Sequence, residues 1–211
     1  QAGGSMVGTL SRLAFCRDVV VAARLRLTGL GLTRPVRSAS VAAAIRAPRW
    51  KRYRLTSRGE SCAAVAMTDD GYEILSDTPP KSGGGGSAPQ PVQLLLAALA
   101  GCKQATAHFV AGRLRLKPIE GIIFELQAER DEWGSMAPPV QSPPPVPSRL
   151  QRIWGTATVD TAASAADVRR LAEAVELRCP VANMIVASGC KLEIEWVRRG
   201  DIEPNEPVHS E

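Results

Sequence analysis

Polar and apolar residues alternate over residues 119–129, where Ile123, Glu125, Gln127 and Glu129 oppose Phe124, Leu126 and Ala128. That two-residue period predicts a strand with one buried face. Arg52 to Met67 reads as one or two strands, and the turn Asp69, Asp70, Gly71 joins it to Tyr72 and Ile74 as a hairpin. Leu150 to Val159 and Lys191 to Val197 complete the predicted strands. A different pattern begins at Val92: good helix formers dominate, Pro91 suits the first helical position, and Gly112 is expected to close the helix. Leu94 to Ala100 is apolar all round, which predicts burial on most faces. The segment SAADVRRLAEAVELRC is amphipathic, with Val168, Leu171, Ala172 and Val175 on one face and Ser164 and Asp167 at capping-box spacing. A second short helix follows Cys179. Strands, long helix, strands, two helices and a last strand make an α+β pattern.

Two segments interrupt these elements. Residues 78–91, TPPKSGGGGSAPQP, place Pro and Gly where neither helix nor strand continues, so a loop leads into the long helix. Residues 134–148 are too proline-rich to pack as regular structure and read as an exposed insertion or lid. The run PPPVP favours extended polyproline II and offers itself as a docking segment, against the plainer reading of a solvated insertion.

Charge divides the chain. Residues 6 to 58 carry twelve Lys and Arg against one acid, Asp18, while residues 59 to 211 carry 14 basic and 20 acidic residues, so the net +5 hides two parts of opposite sign. The basic part lacks the stacking aromatics of a nucleic-acid surface. Its Arg, Ala, Ser and Leu, with Arg12, Arg17, Arg24 and Arg26 among apolar residues, instead resemble a mitochondrial transit peptide. Repeated Arg breaks argue against a secretory signal. The expected organisation is an expression scar at 1–5, a transit peptide or N-terminal extension at 6–48, a folded domain at 49–199 and a flexible tail at 200–211. Matrix localisation is expected, or cytoplasmic if the extension is not removed. No uncharged apolar run approaches the roughly 18 to 20 residues of a spanning helix, so membrane insertion is not expected.

Candidate chemistry lies in the five cysteines, at positions 16, 62, 102, 179 and 190 with no CxxC pair, a set that suits neither a disulfide-dense scaffold nor a structural zinc site. Cys102 sits where the apolar helix turns polar, followed by Lys103, Gln104, Thr106 and His108; Thr106 is one turn on and shares its face. Cys179 precedes Pro180 and so falls at a helix N-cap, where free amides and the helix dipole favour a thiolate. Inert packing is the alternative for both. Cys62 and Cys190 lack activating neighbours and read as structural, and Cys16 would leave with the extension.

The run DGYEILSDTPPKSGGGGSAPQPVQLLLAALAGCKQA, followed by RCPVANMIV and with KPIEG between them, resembles the OsmC/Ohr family, in particular its broader OsmC-like branch, over about residues 52 to 197. The resemblance implies an intertwined homodimer of α+β subunits, each with curved antiparallel sheets packed on a long central helix that carries Cys102. It also implies two-cysteine reduction of organic hydroperoxides in oxidative-stress defence, with Cys102 peroxidatic and Cys179 resolving. A dithiol or lipoylated protein would be the reductant, and no metal, organic cofactor or nucleic acid would be involved. The family's peroxidases hold the thiolate with an Arg from the early strands and a Glu shortly after the loop proline. Arg58 is the candidate for the first by position; Val92 and Gln93 follow Pro91, so the acid is missing. Lys103 or His108 could substitute electrostatically. The alternative is a non-catalytic OsmC-like protein that binds a small apolar ligand in the dimer cleft or senses redox state.

Overall fold

The computed structural model describes residues 48–202. The expected scar at 1–5, nearly all of the expected N-terminal extension with Cys16, and most of the expected C-terminal tail lie outside the described residues.

Three strands, β1 (Leu55–Glu60), β2 (Ala63–Thr68) and β3 (Glu73–Ser76), form an antiparallel meander. The turn at Gly71 closes its second hairpin, as the Asp-Asp-Gly sequence predicts, with Tyr72 N–H donating to the Thr68 hydroxyl at 3.0 Å. Both faces of this small sheet are wet: Leu55, Met67, Ile74 and Leu75 all stay exposed.

The Gly-rich loop then folds around one carboxylate. Buried Asp77 accepts from the amides of Thr78 (2.7 Å), Gly85 (3.1 Å) and Ser87 (3.0 Å) and from the Ser87 hydroxyl (2.9 Å). These donors, the Ser87 amide foremost, hold the Asp77 carboxyl below the usual carboxylate range. Gly84 is needed for this closure, because a Cβ there would lie 2.1 Å from the Thr78 carbonyl oxygen.

Helix α1 (Pro91–Leu114) follows, with Pro91 at its first position as expected. It runs through Gly112 to Leu114, one turn closed by Arg115 in the left-handed region (φ 54°) rather than by the glycine. Gly112 is exposed with nothing near its missing Cβ, so no tight approach makes it a terminator. Burial also departs from expectation. Only Leu99, Lys103, Ala107, Val110 and Ala111 are buried, a stripe at helical spacing, while Leu95, Ala97 and Ala98 are exposed. The helix is covered on one side by α3, α4 and β4 and left open on the other.

The second sheet has strand order β4 (Ile119–Glu129), β5 (Arg152–Thr161), β6 (Lys191–Arg198). Its β4–β5 pair is antiparallel, and Gly155 allows the register, since a Cβ would lie 1.9 Å from the Glu125 carbonyl oxygen. The expected wholly antiparallel sheets are corrected here: β6 runs parallel to β5. The connection between them is a crossover through α3 (Ala165–Arg178) and α4 (Pro180–Ala187), the kind of long return that parallel neighbours require. Ser164 caps α3 through the Asp167 amide (3.1 Å), and Val168, Leu171 and Val175 bury its apolar face, as the sequence pattern predicts. The core lies between this sheet and the helices, with Leu99, Ile153, Leu171, Val175 and Cys179 fully or almost fully buried.

The proline-rich segment opens with one short helical turn, α2 (Trp133–Met136), before its irregular stretch. Its ends are pinned together: the Ser148 hydroxyl donates to the Gly134 carbonyl, and the Gln151 side chain donates to Pro147 O at 2.8 Å while accepting from the Asp131 amide at 2.9 Å. Past β6, residues 199–201 form a 3-10 turn held by the Arg198–Asp201 and Arg199–Asp160 ion pairs. By length and composition, α1 is the one helix among the described residues apolar enough to cross a membrane. Its buried face is nevertheless occupied by the protein's own core, and its mid-helix Lys103 is ion-paired there.

Candidate functional site

The two cysteines singled out by the sequence share one core. Cys102, half-buried on α1, packs against the buried cluster that contains Cys179 and is near enough to raise its thiol. Cys179 is the sole residue between α3 and α4, closing one helix and capping the next. Its sulfur accepts from the Ala182 amide at 3.5 Å, and Pro180 occupies the first position of α4, as its sequence context predicts. The Asn183 side-chain amide straps the junction, donating to the carbonyls of Cys179 (2.8 Å) and Glu176 (3.1 Å).

Burial is the strongest influence on the Cys179 thiol and pushes it above its ordinary value of 9.0. The Ala182 amide pulls it down, the neighbouring Cys102 thiol pushes it up, and the Lys103 charge pulls it down. A cysteine at an N-cap is therefore no ready thiolate here, because the cost of desolvating the charge outweighs the helix terminus.

Lys103 is the residue whose place the sequence did not reveal. Its side chain is wholly buried, forms an ion pair with Glu176 in the last turn of α3, and lies 6.0 Å from the centre of the Trp196 ring. Trp196 in turn stacks edge-on against Phe124, with ring centroids 5.8 Å apart. The Leu99, Lys103, Ala107 spacing was the available signal: a lysine four residues from each of two buried positions belongs to the buried stripe.

The other candidates lie elsewhere. Arg58 is exposed on β1, in a cross-strand row with Val65 and Leu75, and makes no ion pair among the described residues. Thr106 shares the helix face of Cys102 but donates its hydroxyl to the Cys102 carbonyl (2.8 Å). His108 is exposed and engages Gln104 at 3.0 Å. Gln93, where the family resemblance expects an acid, accepts the Gln90 amide at 2.8 Å in a capping box. Cys62 is exposed; Cys190 is buried, which raises its thiol against the opposing pull of Arg149.

Two cavities stand apart from the thiols. The larger, about 650 Å³, is bounded by Trp133, Met136 and Pro138 and contains no cysteine. An apolar one of about 480 Å³ is lined by Val92, Leu95, Leu150, Val181, Met184 and Ile185, with Cys190, Arg130 and Arg149 among its remaining walls.

The chain belongs to the OsmC-like protein family, whose model matches residues 84–195. Among solved structures, the OsmC-like protein of Mycoplasma pneumoniae aligns with 70% of this chain and 97% of its own (TM-score 0.56, 21% identity). An organic hydroperoxide resistance protein OsmC from Legionella pneumophila aligns with 71% and 98% (TM-score 0.53, 18% identity). An organic hydroperoxide resistance protein from Elizabethkingia anophelis aligns with 71% and 98% (TM-score 0.54, 14% identity). These identities speak to the fold. No curated protein matches the chain in sequence.

Proposed function

We propose that this protein reduces organic hydroperoxides with the thiols of Cys102 and Cys179. The observation that carries the reading is their proximity in one core, Cys102 partly exposed and Cys179 buried, in a fold shared with organic hydroperoxide resistance proteins. The accessible Cys102 thiolate attacks the distal peroxide oxygen; the O–O bond breaks, the alkoxide leaves and takes a proton as the alcohol, and Cys102 becomes a sulfenic acid. The Cys179 thiolate then attacks the Cys102 sulfur, and hydroxide leaves with a proton as water while the disulfide forms. A dithiol or a lipoylated protein returns both cysteines to thiols by exchange, becoming a disulfide itself. The residues supply the whole redox couple, so no cofactor is required.

A homodimer completes the unit. The uncovered faces of β1–β3 and of α1, with Leu55, Ile74, Leu75 and Leu95 exposed, are what an intertwined partner would bury. Arg58, exposed on β1, would act from that sheet across the dimer interface. The basic, acid-poor extension supports import into the mitochondrial matrix.

The decisive experiment measures intact mass and free thiols before and after one equivalent of cumene hydroperoxide. Loss of two thiols with a Cys102–Cys179 disulfide, absent from Cys102→Ser and Cys179→Ser, supports the cycle. Survival of both thiols removes it. The apolar cavity near α4 favours the second reading, a non-catalytic protein that binds a small apolar ligand, and unreactive thiols would turn attention there.

A further inference from the structure

Lysine is rarely buried without a partner, and a buried ion pair is a poor source of stability compared with apolar packing. Lys103 is the only fully buried basic side chain among the described residues, and it lies in a stripe otherwise made of Leu, Ala and Val. Its position is specific in two directions. It directly follows Cys102 on α1, and its partner Glu176 precedes Cys179 by three residues on α3. Glu176 is itself 40% exposed, so the carboxylate reaches solvent while the ammonium does not. The buried end of the pair is the cation, and its anchor Glu176 stands one helical turn before Cys179.

We infer that Lys103, held by Glu176 and the face of Trp196, is the positioning cation for the resolving thiol, favouring the Cys179 thiolate that closes the disulfide on Cys102. The role differs from a clamp on the peroxidatic cysteine, because the Lys103 charge acts on the buried partner that burial otherwise keeps protonated. It also gives a reason for a chain without an acid after Pro91 to carry a cation and a carboxylate elsewhere. The charged and titratable groups that act on Cys179 are few: Cys102 and Lys103, both from α1, with Lys103 paired to Glu176 of α3. The α4 helix contributes only the Ala182 amide, and β6 turns Leu192, Ile194 and Trp196 inward while Lys191, Glu193 and Glu195 are exposed. Charge balance in the step is simple. The Cys179 proton leaves to solvent, Lys103 stays protonated throughout, and the expelled hydroxide is protonated by water.

The inference deepens the peroxidase reading and rests on it for the reaction, so its test has one arm independent of peroxide. In a Cys102→Ser background, thiolate absorbance near 240 nm, corrected with the Cys102→Ser/Cys179→Ser protein, follows Cys179 alone. Lys103→Met should raise its titration midpoint by about one pH unit, a tenfold loss of thiolate at a given pH, while Lys103→Arg stays within about half a unit. Lys103→Gln keeps a polar end for Glu176 and stands in if Met loosens the fold; either neutral variant with an unchanged midpoint overturns the inference. In the second arm, one equivalent of hydroperoxide is added with Cys102 and Cys179 both intact. Lys103→Met should form dimedone-trappable sulfenic acid at a rate within about twofold of the parent yet close the disulfide about tenfold more slowly at pH 7. Equal slowing of both steps would mean a general structural defect and sink the inference. If the parent forms no sulfenic acid, the peroxidase reading falls while the titration still decides what Lys103 does to Cys179.

Discussion

The thiols of Cys102 and Cys179 are neighbours of unequal access, the first half-buried and the second buried under α1 at the joint between α3 and α4. In the proposed cycle that inequality sets the order, with the peroxide meeting Cys102 first. Replacing Cys102 by Ser should lower hydroperoxide consumption by roughly a thousandfold or more, as loss of a nucleophile does. Replacing Cys179 by Ser should leave the first turnover in place and stop the second, with sulfinic acid accumulating at Cys102 under excess peroxide. Stopped-flow consumption assays and peptide mass spectrometry distinguish the two.

The pH dependence of the second step has a definite sign. Burial raises the Cys179 thiol above 9.0, so at neutral pH only a small share is thiolate. Disulfide closure after a peroxide pulse should therefore accelerate with each rise in pH from about 7, without levelling off by pH 9. A rate that plateaus near pH 7 would show the thiol to be already ionised.

A dimer should depend on the uncovered sheet. Introducing charge at Leu75, as Leu75→Glu, places a carboxylate in the row formed by Arg58, Val65 and Leu75, which within one subunit is solvated. The single chain should keep its helical signal and core, while light scattering moves from dimer to monomer. An unchanged mass would place the interface elsewhere.

The Asp77 carboxylate organises the loop before α1, and its pKa is lowered mainly by the Ser87 and Thr78 amides. A depressed folded value means that its contribution is present in full above the unfolded value of 3.8 and is lost as pH falls through the folded value. Asp77→Asn should therefore speed amide exchange at Gly85 and Ser87 at pH 7, by about tenfold or more, since each amide loses a charge-assisted acceptor. Below the folded value the variant and the parent should converge. Hydrogen exchange read by mass spectrometry at both pH values tests the pair.

Local pattern accounts for much of this protein. The Ile119–Glu129 strand, the Ser164 cap, the Val168, Leu171, Val175 face and the Cys179 N-cap are all legible in the sequence, because each depends on residues within a few positions of one another. The parallel pairing of β6 was not, since strand direction is decided by how α3 and α4 pack the crossover onto the sheet. Nor was Gly112, which local propensity marks as a stop but which lies exposed inside a helix whose packing continues to Leu114. The site divides the same way. Two cysteines and their order could be read from motifs, but their proximity, and the burial of Lys103 against Glu176, exist only once α1 is laid on α3. A charge that the sequence places where the helix turns polar lies in the core, a single helical step of about 100° from the half-buried Cys102. Tertiary packing alone decides which of those two faces water.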